Sequence, residues 1–294
     1  MDKIKLIGEQ IKYLRKQAGL TQSQLAEGII TQAQISNIEK GNVLPLCTTL
    51  YELANKLGVN VNYFYEQAYN IRFDYMTEVK KQVRKAIRER DYLKVEIILK
   101  DEFDNPLFKV DQNRQFLLWH WALIEYYNKR NFSEAIRLLR ESIDMDINPN
   151  IFNLKVQRIA ILNSLAILYN EEKDYLESIN IYNKAFKELN SLIELRNFQL
   201  EVRLCYGISK SLSKIEEIEQ SNYYSKRGIE ICINNESLYL LGELYYQLGQ
   251  NYDVENQKDL AKFNYKKAEK IFELTHKEEY ISVVKKKIMK LQLD

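Results

Sequence analysis

Residues 21–41 read TQSQLAEGIITQAQISNIEKG. Thr21 and Thr31 each stand three residues before a glutamine, Gln24 and Gln34. That spacing lets a hydroxyl and an amide satisfy each other's backbone groups at a helix start. After the first cap Leu25 and Ala26 point inward, and the pattern breaks at Gly28. After the second, Ile35 and Ile38 point inward until Gly41 stops the run. Two short capped helices across a tight turn make a helix-turn-helix. On the N-terminal side, Ile4, Ile7, Ile11 and Leu14 form one apolar stripe on a helix ending near Gly19. On the C-terminal side, Pro45 ends an extended piece, and Thr48 or Thr49 is expected to cap a fourth helix through Leu50, Leu53, Ala54 and Leu57. Gly58 closes it and a fifth helix begins near Val61. Residues 1–66 therefore form a five-helix domain, with 67–75 a linker that continues the last helix.

The remaining length suits one larger domain. With 3 Pro and 9 Gly in 294 residues, and few period-two apolar alternations, the chain is expected to be all-α. A net charge of +2, from 43 basic and 41 acidic residues, gives no whole-molecule field to attract nucleic acid or an anionic membrane, so any such contact must be local. Cys47, Cys205 and Cys232 form no CxxC pair and fit a reducing cytosol. No run approaches the roughly 18 apolar residues of a membrane span, so a cytoplasmic protein with no membrane partner is expected. No P-loop, GxGxxG or metal-spaced His/Cys cluster occurs, and His120 and His276 lie far apart. The expectation is a protein that is not an enzyme and carries no cofactor or metal.

From Met76 onward the sequence repeats. Val95, Ala135, Ser178, Ser221 and Ala261 are spaced by 40, 43, 43 and 40 residues, each small or branched. Nine residues before them stand Ala86, Tyr126, Tyr169, Leu212 and Tyr252; seven after the last four stand Ser142, Ala185, Gly228 and Ala268. Small residues at the tightest crossing with bulky ones a turn away are what helix-on-helix packing requires. This resembles tetratricopeptide repeats, most clearly at Trp119, Ala122, Leu123, Tyr126, Ala135, Leu139 and at Tyr245, Leu248, Gly249, Tyr252, Ala261, Tyr265, Ala268. The first copy is weak, with Glu102 where a small residue is expected. The resemblance implies that residues 76–294 form a right-handed α-solenoid of five degenerate helix pairs with a C-terminal capping helix, a domain for peptide binding and dimerisation. The first helix of each pair would line the concave face. Those positions carry Arg84 and Arg88; His120, Ile124 and Tyr127; Asn163 and Asn170; Arg203, Tyr206 and Lys210; and Glu243, Tyr246 and Gln250. Amides suit a peptide backbone, aromatics its side chains, and Arg or Lys an acidic group. A protein partner, or a groove that holds nothing, remains open.

With LTQSQLAEGIITQAQISNIEKGNVLPLCTTLYELANKLGVNVNYFYE at 20–66, the chain over roughly residues 6–66 resembles the DNA-binding domain of the phage-repressor-like, XRE-type helix-turn-helix family. The T-Q-x-x-L-A, I-S-x-I-E-x-G and L-A-x-x-L-G-V pieces occur in order, with a turn one residue shorter than the family's. In that family's docking geometry the second helix enters the major groove. Gln32, Ala33, Gln34, Ser36 and Asn37 are then the expected base readers, since Gln and Asn pair bidentately with adenine and Ala meets a thymine methyl. Gln22, Lys40 and Asn42 are the expected backbone contacts, and Thr31, which opens the helix, completes the set. Glu39 is expected to be a structural partner within the domain. A solvated helix face that meets no DNA is the plain alternative.

The order of the two parts resembles the RNPP group of quorum-sensing regulators of Gram-positive bacteria, over the whole chain. That resemblance implies a homodimer on a palindromic double-stranded DNA operator, controlled by a short re-imported signalling peptide; activation is what the resemblance implies, and repression relieved by the peptide is equally compatible with the residues. It also places peptide contacts at Arg88 and Arg90, at Asn163 and at Tyr280; Cys205 and Glu243 stand where the group is expected to carry amides. Two rival functions stay open: a protein-sequestering repeat array, and a redox sensor using Cys205 and Cys232.

Overall fold

The computed structural model describes residues 3–145, 152–192 and 197–293, with side chains except at 3, 65–74, 152–153 and 292–293. All regular structure among them is helical. The chain divides into two compact units, residues 1–90 and 91–294.

The first unit contains α1 (Lys3–Gln17), α2 (Gln22–Ala26), α3 (Gln32–Glu39), α4 (Cys47–Lys56) and α5 (Asn62–Arg88). Both threonine caps are reciprocal: Thr21 accepts from Gln24 N while Gln24 accepts from Thr21 N, and Thr31 and Gln34 repeat the exchange. The fourth helix starts earlier than expected. Leu46 is its N-cap with no side-chain bond, and Thr48 and Thr49 lie inside the first turn. Leu50 must face the core, and its N–H closes the first turn on Leu46 O at 2.8 Å, so the helical phase is set from Leu46. The backbone of α5 runs unbroken through 67–75. Ile7, Ile11, Leu25, Ala26, Ile35, Ile38, Leu50, Leu53, Ala54 and Phe64 form one buried cluster.

α1 crosses α3 at Gly8, where a Cβ would lie 2.1 Å from the carbonyl oxygen of Ile38. Backbone cannot yield as a side-chain tip can. Gly8→Ala is therefore expected to cost about 1–3 kcal/mol through overpacking, read as faster amide exchange across α1 and α3 in the full-length protein. Unchanged protection there would mean that the crossing tolerates the methyl group.

The second unit runs through α6 (Tyr92–Glu102), a 3-10 turn at Pro106–Phe108, then α7 (Asp111–Tyr127), α8 (Phe132–Asp144), α9 (Phe152–Glu171), α10 (Tyr175–Asn190), α11 (Phe198–Lys214), α12 (Ile218–Asn234), α13 (Leu241–Val254), α14 (Lys258–Leu274) and α15 (Glu278–Leu293). From α6 to α15 each helix packs on the next, and the first helices α7, α9, α11 and α13 also touch in sequence, forming a continuous row. The five anchor residues, Val95, Ala135, Ser178, Ser221 and Ala261, are fully buried. The two serines keep their hydroxyls satisfied there: Ser178 donates to Ala166 O at 2.8 Å and Ser221 to Ser209 O at 2.7 Å.

Five residues before each anchor the chain turns through the left-handed region, at Arg90, Arg130, Lys173, Glu216 and Asn256, with φ between 57° and 67°. None is glycine, although that region strains a residue with a Cβ. The next residue caps the following helix. Asp91, Asn131 and Asp174 accept from the backbone N–H of Lys94, Glu134 and Glu177, while Glu217 and Gln257 hold the position without a side-chain bond.

Candidate nucleic-acid interface and ligand groove

α3 presents Gln32, Ala33, Gln34 and Asn37 to solvent, with Ser36 half-buried among them; Thr31 precedes it and Lys40 and Asn42 follow it, all exposed. The helix is held from below by a chain of polar bonds. Arg15 and Glu39 are both buried and meet in a bidentate pair at 2.6 and 3.0 Å, and Arg15 also donates to Leu20 O at 2.7 Å. Gln22 donates to the second Glu39 oxygen at 2.9 Å, and Gln32 donates to Gln22 Oε1 at 2.8 Å. Burial pushes the Glu39 carboxyl up, but the bonds from Arg15 and Gln22 outweigh it and hold the group below its ordinary value. The buried ion pair thus fixes Gln22, and Gln22 fixes Gln32 at the mouth of the helix. Gln34 spends its amide oxygen on the Thr31 cap, so its NH₂ alone remains to meet a base.

In the repeat unit, Asn163 and Asn170 from α9 and Arg203, Tyr206 and Lys210 from α11 line one cavity of about 230 Å³. Ile167, Glu171, Tyr182, Gly207, Tyr239 and Leu240 complete its wall. Gly207 is required there: a Cβ would stand 2.0 Å from the Tyr182 hydroxyl, so the hydroxyl end of the ring packs directly on the glycine. Asn170 donates to Ser211 at 2.7 Å. Glu171, at the rim, accepts from Tyr127 at 2.9 Å, and the Tyr127 ring stacks on Tyr92 at 4.6 Å. Tyr206 is raised above its ordinary value chiefly by burial, with Glu243, Tyr280 and Tyr246 of α13 and α15 adding to it. Gln250 reaches the Tyr246 hydroxyl at 3.5 Å, and Tyr280, exposed, lies 5.1 Å from the Phe272 ring.

Three other expected groove residues of the repeat unit are buried. His120 is buried, with Nδ1 at 2.8 Å from Phe116 O and its ring 4.0 Å from Phe116 and 4.4 Å from Trp119; it is a packing residue of α7. Ile124 is wholly buried. Glu243 is buried and committed to Lys277 at 2.5 Å. Arg84, Arg88 and Arg90 belong to the first unit, where all three are exposed. Ile167, Glu171, Tyr182, Gly207, Tyr239 and Leu240 were not anticipated as groove residues; of these, only Gly207 carried a signal, as a glycine inside a helical pattern.

The cysteines of the second unit are poor redox groups. Burial pushes the Cys205 thiol up to about 12, against a smaller downward pull from Arg227, and the Cys232 thiol up to about 11. Little thiolate exists at neutral pH to react. Among the described residues, no group of three His, Cys, Asp or Glu side chains could hold a metal ion, and no helix is long and apolar enough to cross a membrane.

Comparison with known proteins bears on both units. Residues 80–291 match the RNPP family C-terminal domain and residues 11–64 match a helix-turn-helix domain. An uncharacterized helix-turn-helix-type transcriptional regulator of Sinorhizobium fredii, y4dJ, is 43% identical over 61 residues, which are 20% of this chain and 79% of that protein. Among solved structures, Bacillus thuringiensis PlcR in complex with the peptide PapR7 and DNA is 26% identical and superposes with a TM-score of 0.79, over 95% of this chain and 99% of that one. The SHP pheromone receptor Rgg2 of Streptococcus dysgalactiae, 18% identical over 97% of this chain and 99% of that one, shares the fold with a TM-score of 0.63.

Proposed function

This chain belongs to the RNPP family of helix-turn-helix transcription regulators, and on that premise we propose that it binds a palindromic operator as a homodimer under the control of a short imported peptide held in the α9–α11 groove. The observation that carries the proposal is the solvent-facing amide row of α3, braced from the core through Gln22 and Glu39. A face that merely dissolves the domain has no need of a buried ion pair to orient it. Bases are read by Gln32, Ala33 and Asn37, with Ser36 and Gln34 beside them; Thr31, Gln22, Lys40 and Asn42 meet the backbone. Asn163, Asn170 and Tyr206 serve the peptide backbone and side chains, with Tyr246, Gln250 and Tyr280 extending the groove. The similarity to PlcR, solved with peptide PapR7 and DNA, supports this assignment of partners. Two recognition helices must meet half-sites about one helical turn, or a multiple of it, apart. A peptide with higher affinity for the correctly spaced dimer shifts the population toward it, which makes the protein an activator.

The test is a gel shift on the DNA upstream of the protein's own gene, with and without synthetic peptides encoded by small neighbouring reading frames. Because Gln34 carries the cap, the cleaner variant is Gln32→Ala with Asn37→Ala. Each lost bidentate contact is worth about 1–3 kcal/mol, so the double variant should bind the operator at least tenfold more weakly, with its helix content unchanged. A shift unaltered in the double variant refutes the DNA face. A wild-type shift indifferent to every peptide refutes the control.

A further inference from the structure

Three cations that reach into the interior of this protein have carboxylate partners: Arg15 with Glu39, Arg227 with Glu201 at 2.6 Å, Lys277 with Glu243 at 2.5 Å. Among the described residues, the two cations of the α9–α11 cavity have none. Arg203 lines it with Nε buried and unpartnered. Lys210 lines it with no hydrogen bond or ion pair among the described residues; its ammonium stands 5.6 Å from the Tyr206 ring centroid. The one acid on the wall, Glu171, is occupied by the Tyr127 hydroxyl and makes no ion pair with Lys210. A third group is also unmet: Asn163 is 5% exposed, and its Oδ1 is sealed from solvent with no donor. Burial draws the Lys210 ammonium below its ordinary value, with Lys214 adding to that and Glu171 opposing it.

Partly dehydrated cations without a counter-charge are costly, and a buried carbonyl oxygen without a donor adds to the cost. Both costs vanish if one ligand group brings an anion beside an N–H. A cavity of about 230 Å³ is below the size of a drug-like site, so it takes one residue of a peptide rather than a whole ligand. A carboxylate fits these donors best, since guanidinium and ammonium groups bind it through charge-assisted hydrogen bonds.

We propose that this cavity is a carboxylate subsite: an acidic group of the peptide docks between Arg203 and Lys210, and Asn163 Oδ1 accepts the peptide N–H beside it. The proposal deepens the peptide assignment above and rests on it. It places the charge contact on α11, at side chains other than the Arg88 and Arg90 that the family resemblance suggested. The acid is either the C-terminal carboxylate or an Asp or Glu side chain.

The experiment uses the full-length protein and fluorescein-labelled mixed heptapeptide pools read by polarisation. One set has free C-termini and no Asp or Glu; a second is amidated with Glu fixed at one position in turn; a third is amidated and acid-free. The first or second set is expected to bind about ten- to a hundredfold tighter than the third, as suits a charged hydrogen bond. Preference for the first identifies a C-terminal carboxylate, preference for one member of the second a side chain. The advantage should vanish in R203Q/K210M and return in R203K/K210R, both checked for an unchanged melting temperature. If that neutral pair does not fold, K210M alone serves, with at least half of the logarithmic advantage lost. Acid-free amidated pools binding as tightly as the others, or an advantage that survives neutralisation, overturns the subsite and leaves the peptide groove standing. No binding by any pool overturns the groove itself.

Discussion

Replacing Glu39 with Ala should abolish operator binding, although this residue is 5% exposed and lies outside the solvent-facing row of α3. Its carboxylate takes two bonds from Arg15 and one from Gln22. Truncation leaves the Arg15 guanidinium buried with only Leu20 O as partner. Removing one partner of a buried pair costs about 3–5 kcal/mol. At about 0.05–0.15 kcal/mol per residue, a unit of this size holds only several kcal/mol in all. The first unit should therefore unfold at ordinary temperature while the repeat unit stays helical, as amide exchange would resolve. The conservative Glu39→Gln can keep at most two of the three bonds, with its amide oxygen in the Oε2 place and its NH₂ facing the Arg15 Nε–H; it should fold less stably, with weaker DNA binding because the charged support beneath Gln22 and Gln32 is lost. It also carries a pH signature. Because the folded Glu39 group sits below its ordinary value of 4.5, its contribution is complete above that value and is lost as pH falls through the lower folded value. Acid unfolding of the wild-type first unit below about pH 4 should thus be shallower in Glu39→Gln. Equal acid profiles would show that the pair does not contribute. A Glu39→Ala protein that melts and shifts DNA like the wild type would remove the brace from the mechanism.

Tyr182→Ala carries the second large effect. The ring is 1% exposed in the main core of the repeat unit, and its hydroxyl end borders the cavity beside Gly207. Truncating a buried aromatic side chain costs about 3–5 kcal/mol. The lost ring would also join its volume to the groove, so peptide affinity should fall together with stability. A companion variant tests the packing. Gly207→Ala alone forces the tyrosine to shift, whereas Gly207→Ala with Tyr182→Leu removes the clashing hydroxyl and ring edge. The two changes should therefore be less than additive in urea midpoints, since residues in contact couple by about 0.5–3 kcal/mol. Strict additivity would mean that the close contact carries no strain when filled.

Much of this architecture was legible in advance because it is local. A threonine three residues before a glutamine specifies a cap without help from the rest of the chain, and both caps form as read. The repeat anchors were legible because small or branched residues recur 40 or 43 positions apart, and all are buried. The α4 start was misread because a helix can begin without a side-chain cap when an apolar residue sets the phase. Depth was harder than direction. His120 and Glu243 occupy the side of the helix that counting gave them, but their burial depends on Phe116, Trp119 and Lys277, and the last lies 34 residues away. Whether Arg203, Lys210 and Asn163 have partners is a property of three dimensions, and no pattern along one strand of letters encodes it. The turns before each second helix were missed because the expected marker, glycine, is absent from all five.

Those five turns have an evolutionary corollary. Every one passes through the same dihedral region and hands the chain to a helix at the same distance from a buried anchor. Recombination that spliced the gene from Arg130 to Asp174 would remove 43 residues, one full repeat, yet recreate an equivalent hinge at the seam. A deletion or duplication at such a seam is therefore expected to keep the local turn, leaving the helix faces on either side to decide whether the shortened or lengthened array still packs.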